Sequence, residues 1–249
     1  GTAQDSHLLE TLAERIITML LDEFPITHVK LWVRKLHPPI TAVTGSVGVT
    51  VERTRPAQQF QHTGLVPSRF LVEQLHRLPK GKALDVAAGQ GRHSLFLASH
   101  GYQVDAIDRD ENALAQLTAA AKSRAFSAIT TRALDLEQPA PFDPGLGIEK
   151  YDVIVVFFYL YRSLFPSLIE ALKPGGILAY ETFTIDNYFH HQHPKRWEFC
   201  LTPNELLRLS SGLQILHYDE GGHTGNQTSN LVYTAQLLAH KPMRSGPPT

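Results

Sequence analysis

The chain has 249 residues, 43% of them hydrophobic, enough to bury a full α/β core with room for a small extra unit. Its formal net charge of −1 leaves no broad basic field to attract nucleic acid or an anionic membrane surface. A single cysteine, Cys200, rules out an intramolecular disulfide and any multi-cysteine metal cluster. At the N-terminal end, Asp5 or Ser6 can cap a helix in which Leu9, Leu12, Ala13, Ile16, Ile17, Leu20 and Phe24 form one apolar stripe, ended by Pro25. Val29, Leu31, Val33 and Lys35 then share one face of a strand, and after Pro38-Pro39 a second strand puts Val47, Val49 and Val51 on one face. A helix on a two-stranded hairpin closes no stable core alone, so these apolar faces need a partner. At about 100° per residue Glu10 falls at the edge of the apolar stripe, which predicts a partly buried carboxylate. Lys35 lies on the apolar side of its strand.

These segments resemble the C-terminal half of dihydroneopterin aldolase, through Leu8-Leu-Glu-Thr-Leu-Ala-Glu-Arg15, Lys35-Leu-His-Pro-Pro-Ile40 and Val47-Gly-Val-Thr-Val-Glu-Arg53. The resemblance implies that Glu10 anchors the amino and ring N–H groups of a pterin. It implies that Lys35 serves proton transfer in a retro-aldol cleavage. The opening strands, helix and site tyrosine of that family have no match in this chain, so the implied site is incomplete. The expectation is a fusion, aldolase first, in which residues 1–56 are a partial α+β unit, half of a tunnelling fold, active as an aldolase only in a longer parent. The competing expectation is a non-catalytic remnant that keeps fold and assembly, with homo-oligomers formed through this unit.

From residue 57 onward the pattern changes to alternating strands and helices. A buried strand, Ala83 to Ala87, runs into a glycine turn at Gly89 and Gly91, where missing side chains let a ligand approach the backbone. Arg92 to His100 reads as a helix stopped by Gly101, and the next strand, from Gln103, ends at Asp108, whose carboxylate can bind both ribose hydroxyls. The glycine pattern is D-x-A-x-G-x-G, with Ser94 where a dinucleotide fingerprint would place its third glycine. That spacing favours S-adenosylmethionine over NAD. Downstream come Arg132-Ala-Leu-Asp135-Leu136-Glu137, then the near-continuous apolar run Tyr151-Asp-Val-Ile-Val-Val-Phe157 expected of a parallel strand covered on both faces. A helical stretch through Leu172, a turn at Lys173-Pro-Gly-Gly176 and the strand Ile177-Leu-Ala-Tyr-Glu-Thr182 follow.

This series resembles the class I S-adenosylmethionine-dependent methyltransferases, within them most closely the small tellurite-resistance type, over residues 57–241. The resemblance implies a Rossmann-like, mainly parallel seven-stranded sheet and S-adenosylmethionine as cofactor. It places Asp85, Ala87 and the Gly89 to Gly91 backbone toward the methionine moiety, and Asp108 with Arg109 toward ribose. Asp135 with Leu136 is placed toward adenine, and Phe157 to Tyr161 along the pocket wall near the reacting methyl. No Asn/Asp-Pro-Pro-Tyr/Phe tetrapeptide follows the fourth strand of this unit. Phe157-Phe-Tyr159 stands there instead, an aromatic wall that suits a small or planar acceptor.

Thr184 to Leu201 is expected to form a lid or substrate contact, with His190, Arg196 and Trp197 as candidates. His190, His191 and His193 lack a neighbouring acidic or cysteine ligand, so no metal is assigned to them. Leu213 to Tyr218 and Asn230 to His240 read as the closing strand pair, with Gly221, Gly222 and Gly225 in the connection. Residues 242–249 are Pro- and Gly-rich and read as a disordered tail. No apolar run reaches the ~18 residues of a membrane span. No signal peptide is read either, so the expected location is cytoplasmic and the expected partner a small-molecule methyl acceptor, with neither nucleic acid nor membrane.

Overall fold

The computed structural model describes residues 9, 11–17, 19–20, 28–35, 47–54, 65–138, 143–224 and 231–243. The chain divides into two compact units, Gly1–Gln58 and Gln59–Thr249.

In the first unit, residues 11–17 form helix α1, and β1 (His28–Lys35) pairs antiparallel with β2 (Val47–Thr54), from His28 opposite Thr54 to Lys35 opposite Val47. The two periodicities meet in a core of four buried residues, Ala13, Ile17, Val29 and Val51, with Leu20, Leu31, Val33 and Val49 packed around it. Leu12 departs from the expected stripe and is 47% exposed. It sits about 100° around the helix from Ala13, outside the narrow face that so small a core covers. A contact between the Arg53 guanidinium and the Glu14 carboxylate ties the hairpin to the helix. The backbone of Lys35 is paired, while its side chain, and all of Glu10 and Phe24, lie outside the described residues.

The second unit is a seven-stranded sheet in the order β5 (Ile129–Ala133), β4 (Gln103–Asp108), β3 (Lys82–Val86), β6 (Tyr151–Phe157), β7 (Leu172–Phe183), β9 (Leu231–His240), β8 (Gln214–Thr224). The first five are mutually parallel, and β9 and β8 close the edge antiparallel. Helices α2 (Arg69–Gln74), α3 (Arg92–Ser99), α4 (Glu111–Ser123), α5 (Phe165–Ala171), α6 (Ile185–His191) and α7 (Glu205–Leu209) lie in the connections. The apolar run of β6 is explained by its position: it pairs on both sides, and only Asp152, near its start, is less than fully buried. Asp110 caps α4 by accepting from the N–H groups of Asn112 and Ala113 at 2.9 and 3.1 Å. Strand order reverses between β3 and β6, so a crevice opens at the carboxyl ends of these two neighbours.

Two boundaries differ from the sequence expectation. The helix before β7 ends at Ala171, and Leu172 already pairs with Tyr151, so Lys173-Pro-Gly-Gly176 is a bulge within the strand and the register resumes at Val153 opposite Ile177. Gly221 and Gly222 lie inside β8, which runs on to Thr224, because the ladder with β9 continues opposite Thr234 and Tyr233. Gly225 and residues 244–249 of the expected tail lie outside the described residues. Among the described residues no helix is long and apolar enough to cross a membrane.

Candidate functional site

The carboxyl ends of β3, β4 and β6 gather the residues that the sequence singled out. Ala87 follows β3 with φ +54°, a left-handed conformation that costs a residue with a Cβ, and Gly89 (φ +53°) and Gly91 (φ +78°) complete the turn into α3. The two glycines do different work. A Cβ at Gly89 would meet nothing within 4 Å, so the backbone there fronts open space. At Gly91 a Cβ would overlap the Leu117 side chain, so this glycine serves close packing against α4, where the sequence assigned it to ligand approach. Asp108 closes the turn from the next strand: one carboxylate oxygen accepts the Gly89 N–H at 2.7 Å and the other the Asp110 N–H at 2.9 Å. Each oxygen keeps a further lone pair for a ligand hydroxyl.

Asp85 lies beneath this turn, 1% exposed, and accepts the Ser94 hydroxyl at 2.6 Å. Burial pushes its carboxyl up to about 7 against the pull of the Ser94 hydroxyl and N–H and of Arg92. Asp135 is exposed after β5, accepting the Glu137 N–H at 3.0 Å and the Gln138 amide at 3.1 Å, while Leu136 beside it is buried. Arg109 reaches across from the tip of β4 toward Glu137 at 3.9 Å. Phe157 is buried, its ring 4.1 Å from that of His93. Burial, seconded by Arg92, lowers the His93 pKa well below the usual imidazole value, so the ring is neutral and its Nε2 accepts the Ser68 N–H at 3.2 Å.

Two clefts of about 530 Å³ each open at the ends of β6 and β7 and share Arg92, Phe158 and Phe183 as a common wall. One holds Glu137, Tyr159, His193 and Phe199, and the Tyr159 hydroxyl there is buried with no hydrogen-bond partner among the described residues. The other is floored by the face of β7, β9 and β8 that carries Glu181, Thr234, Gln236, Asp219 and His223, and walled by α2. Phe158 sits between the clefts at φ +58°, held by its N–H on the Glu181 carbonyl at 2.7 Å. The Arg92 guanidinium, 5.2 Å from the Phe158 ring, has no hydrogen-bond or ion-pair partner among the described residues. Burial lowers its pKa, opposed by the Asp85 and Glu181 carboxylates.

The sequence reading did not single out Arg92 or Glu181. Glu181 had a signal: one acid in an otherwise apolar strand of the sheet interior needs partners or a task. Conversely, the expected lid residues are not in the clefts. His190 stacks on Tyr233 at 4.6 Å, Arg196 lies 3.8 Å from Glu198, and Trp197 is 55% exposed, while His193, Pro194 and Phe199 of the same segment line a cleft. Among the described residues no group of three or more His, Cys, Asp or Glu side chains is placed to hold a metal.

The family model described as dihydroneopterin aldolase matches residues 2–52. A curated relative from Haemophilus influenzae, named as the probable S-adenosyl-L-methionine-dependent methyltransferase TehB, is 32% identical over 64% of this chain and 57% of its own length. The chain thus spans a little over half the length of that relative. The crystal structure of TehB from Haemophilus influenzae superposes with TM-score 0.63 at 23% identity, covering 79% of this chain and 70% of that one. A methyltransferase structure from Methanosarcina mazei gives TM-score 0.54 at 20% identity, over 68% of this chain and 97% of that one. The fold of the second unit is therefore that of the S-adenosylmethionine-dependent methyltransferases. With residues 65–230 matched by the family model described as tellurite resistance protein TehB, the chain belongs to the TehB family.

Proposed function

We propose that the second unit transfers a methyl group from S-adenosylmethionine to a small-molecule acceptor. The observation that carries this reading is the turn at Gly89, which fronts open space and is pinned by a strand-tip carboxylate. The unpartnered Tyr159 hydroxyl and the two acids at adjacent strand tips, Asp108 and Asp135, fit a nucleoside that brings its own hydrogen-bonding groups. In this reading the Gly89 backbone faces the methionine moiety over buried Asp85 and Ala87. Asp108 and Arg109 face ribose, Asp135 and Leu136 frame the adenine side, and Phe157 stands at the start of the wall near the reacting methyl. Bound there, S-adenosylmethionine supplies an electrophilic methyl group on a positively charged sulfur. The residues of the chain orient donor and acceptor, and such positioning is the main source of rate in a displacement of this kind. Calorimetry is expected to show micromolar binding of S-adenosylmethionine to the wild type. Asp108→Ala is expected to weaken it about 100-fold, roughly 3 kcal/mol. Absence of binding to the wild type defeats the reading.

The match of residues 2–52 to dihydroneopterin aldolase favours a second reading, confined to the first unit. Here Glu10 anchors a pterin and Lys35 moves a proton in retro-aldol cleavage, once the remaining parts of that site are supplied. The product of the complete parent gene is then expected to release glycolaldehyde from dihydroneopterin. A parent that releases none, with its methyltransferase unit folded, removes the aldolase reading and leaves the methyl-transfer reading intact.

A further inference from the structure

The cleft over β7, β9 and β8 contains a buried acid wired to the surface. Glu181 is 5% exposed. One of its oxygens accepts from the Ser68 hydroxyl, and the other from the Thr234 hydroxyl at 3.2 Å and the Gln236 amide at 2.9 Å. Thr234 in turn lies 2.8 Å from Nδ1 of His223, and His223 Nε2 lies 3.3 Å from the Asp219 carboxylate, which is 59% exposed. Sheet register explains the alignment. Glu181, Gln236 and Asp219 are direct partners across three strands, and Thr234 lies two residues along on the same face. The row therefore runs from a buried carboxylate on the floor of this one cleft, which also holds the shared wall residues Arg92, Phe158 and Phe183, out to solvent through Thr234 and His223, groups that can each donate and accept.

We propose that Glu181 takes the proton from a protic methyl acceptor, a small molecule with an S–H, N–H or O–H nucleophile, and that Thr234, His223 and Asp219 conduct that proton to solvent. This rests on the methyl-transfer reading of the site. The balance is simple. The acceptor loses its proton to a Glu181 oxygen and keeps the electron pair, which forms the new bond to the methyl carbon, while the carbon–sulfur pair stays on the donor sulfur. With Glu181 as carboxylate, the Thr234 hydroxyl proton points at Glu181 and its lone pair accepts N–H from His223 Nδ1. With Glu181 protonated, the chain reverses: Glu181 donates to Thr234, Thr234 donates to Nδ1, and Nε2–H donates to Asp219. A single hydroxyl rotation and a tautomer change at His223 therefore pass the proton along. The charged and titratable groups that face Glu181 around the cleft are Arg92, Arg69, Glu73, His217, His223 and Asp219. Arg92, which has no ion-pair partner among the described residues, is a cation lining the same cleft as Glu181.

A purely structural Glu181, cross-linking β7, β9 and Ser68, makes a different forecast. Labelled methyl transfer is to be measured with a panel of aromatic thiols, phenols and amines, and with selenite as an acceptor already ionised. The expected result is labelling of the protic panel, with Glu181→Gln lowering kcat about 100-fold or more while KM and donor binding change less than twofold. Thr234→Val is expected to lower kcat about tenfold and to change the pH profile. Labelling of selenite alone, or Glu181→Gln within threefold of wild type, overturns the proposal. The wiring is tested without any acceptor by the ¹⁵N chemical shifts of the His223 ring. They should report a proton on Nδ1 in the wild type and its loss in Thr234→Val, and an unchanged ring refutes the conduit. Failure of the wild type to bind S-adenosylmethionine refutes the methyl-transfer reading, whereas the His223 shifts judge the conduit separately.

Discussion

At the scale of single residues, Asp85 is the group whose chemistry departs furthest from its sequence appearance. Its burial raises the carboxyl to about 7, above its ordinary 3.8, so the native state holds a proton that the unfolded chain releases. The native state therefore loses stability as pH rises from about 4 to about 7, by roughly 1 kcal/mol per pH unit. Denaturant unfolding across that window is expected to show this slope in the wild type and a flattened one in Asp85→Asn. Equal slopes would contradict the assignment. The sequence revealed that an acid precedes the glycine turn, but not that it sits under the turn, because depth depends on α3 and Ser94 closing over it. Gly91 makes the same point: its spacing looked like ligand access, and only the arrival of Leu117 from α4 shows a packing role.

At the scale of elements, the segment from α6 to α7 is tied to the turn before α5 by a residue that no motif announced. Arg162, in the turn before α5, donates to the carbonyls of Glu198 and Cys200 at 2.7 and 2.9 Å, and to both oxygens of Glu205 at 2.6 and 3.1 Å. Burial acts to raise the Glu205 carboxyl, yet Arg162 and the Thr202 N–H and hydroxyl together hold it down at about 2. A depressed carboxylate contributes stability that is complete above its unfolded value of 4.5 and lost as pH falls through about 2. Glu205→Gln is therefore expected to cost about 1–2 kcal/mol at pH 7, discounted because the Arg162 side chain is 40% exposed, and nothing near pH 2. Thermal unfolding of the variant at both pH values measures this; a loss that persists unchanged at pH 2 would mean that the ion pair is not its source. Arginine was invisible to the sequence reading because its partners lie 36 to 43 positions away, beyond the range of any periodicity. Strand β6 was legible for the opposite reason, since burial on both faces writes itself into a near-continuous apolar run.

At the scale of the whole molecule, composition and motif order gave the two units and the mainly parallel sheet, while the site was legible on one side only. The proposed donor side is built from consecutive segments, residues 83 to 137, so its glycines and acids stand in readable order. The proposed acceptor side draws Ser68, Arg92, Glu181, His223 and Thr234 from five separate places, and only the folded sheet brings them together. That division has a consequence for how such proteins diversify. The floor of the acceptor cleft is supplied largely by the antiparallel pair β8–β9 at one edge of the sheet, whereas the glycine turn hangs on β3 at its centre. Of that pair only β8 is an edge strand, because β9 is locked between it and β7 and sends Ala235, Leu237 and Ala239 into the same core as Leu84 and Val86 of β3. Substitutions on the cleft face of β8 can therefore change the charge and shape of this floor without touching a strand that carries the glycine turn.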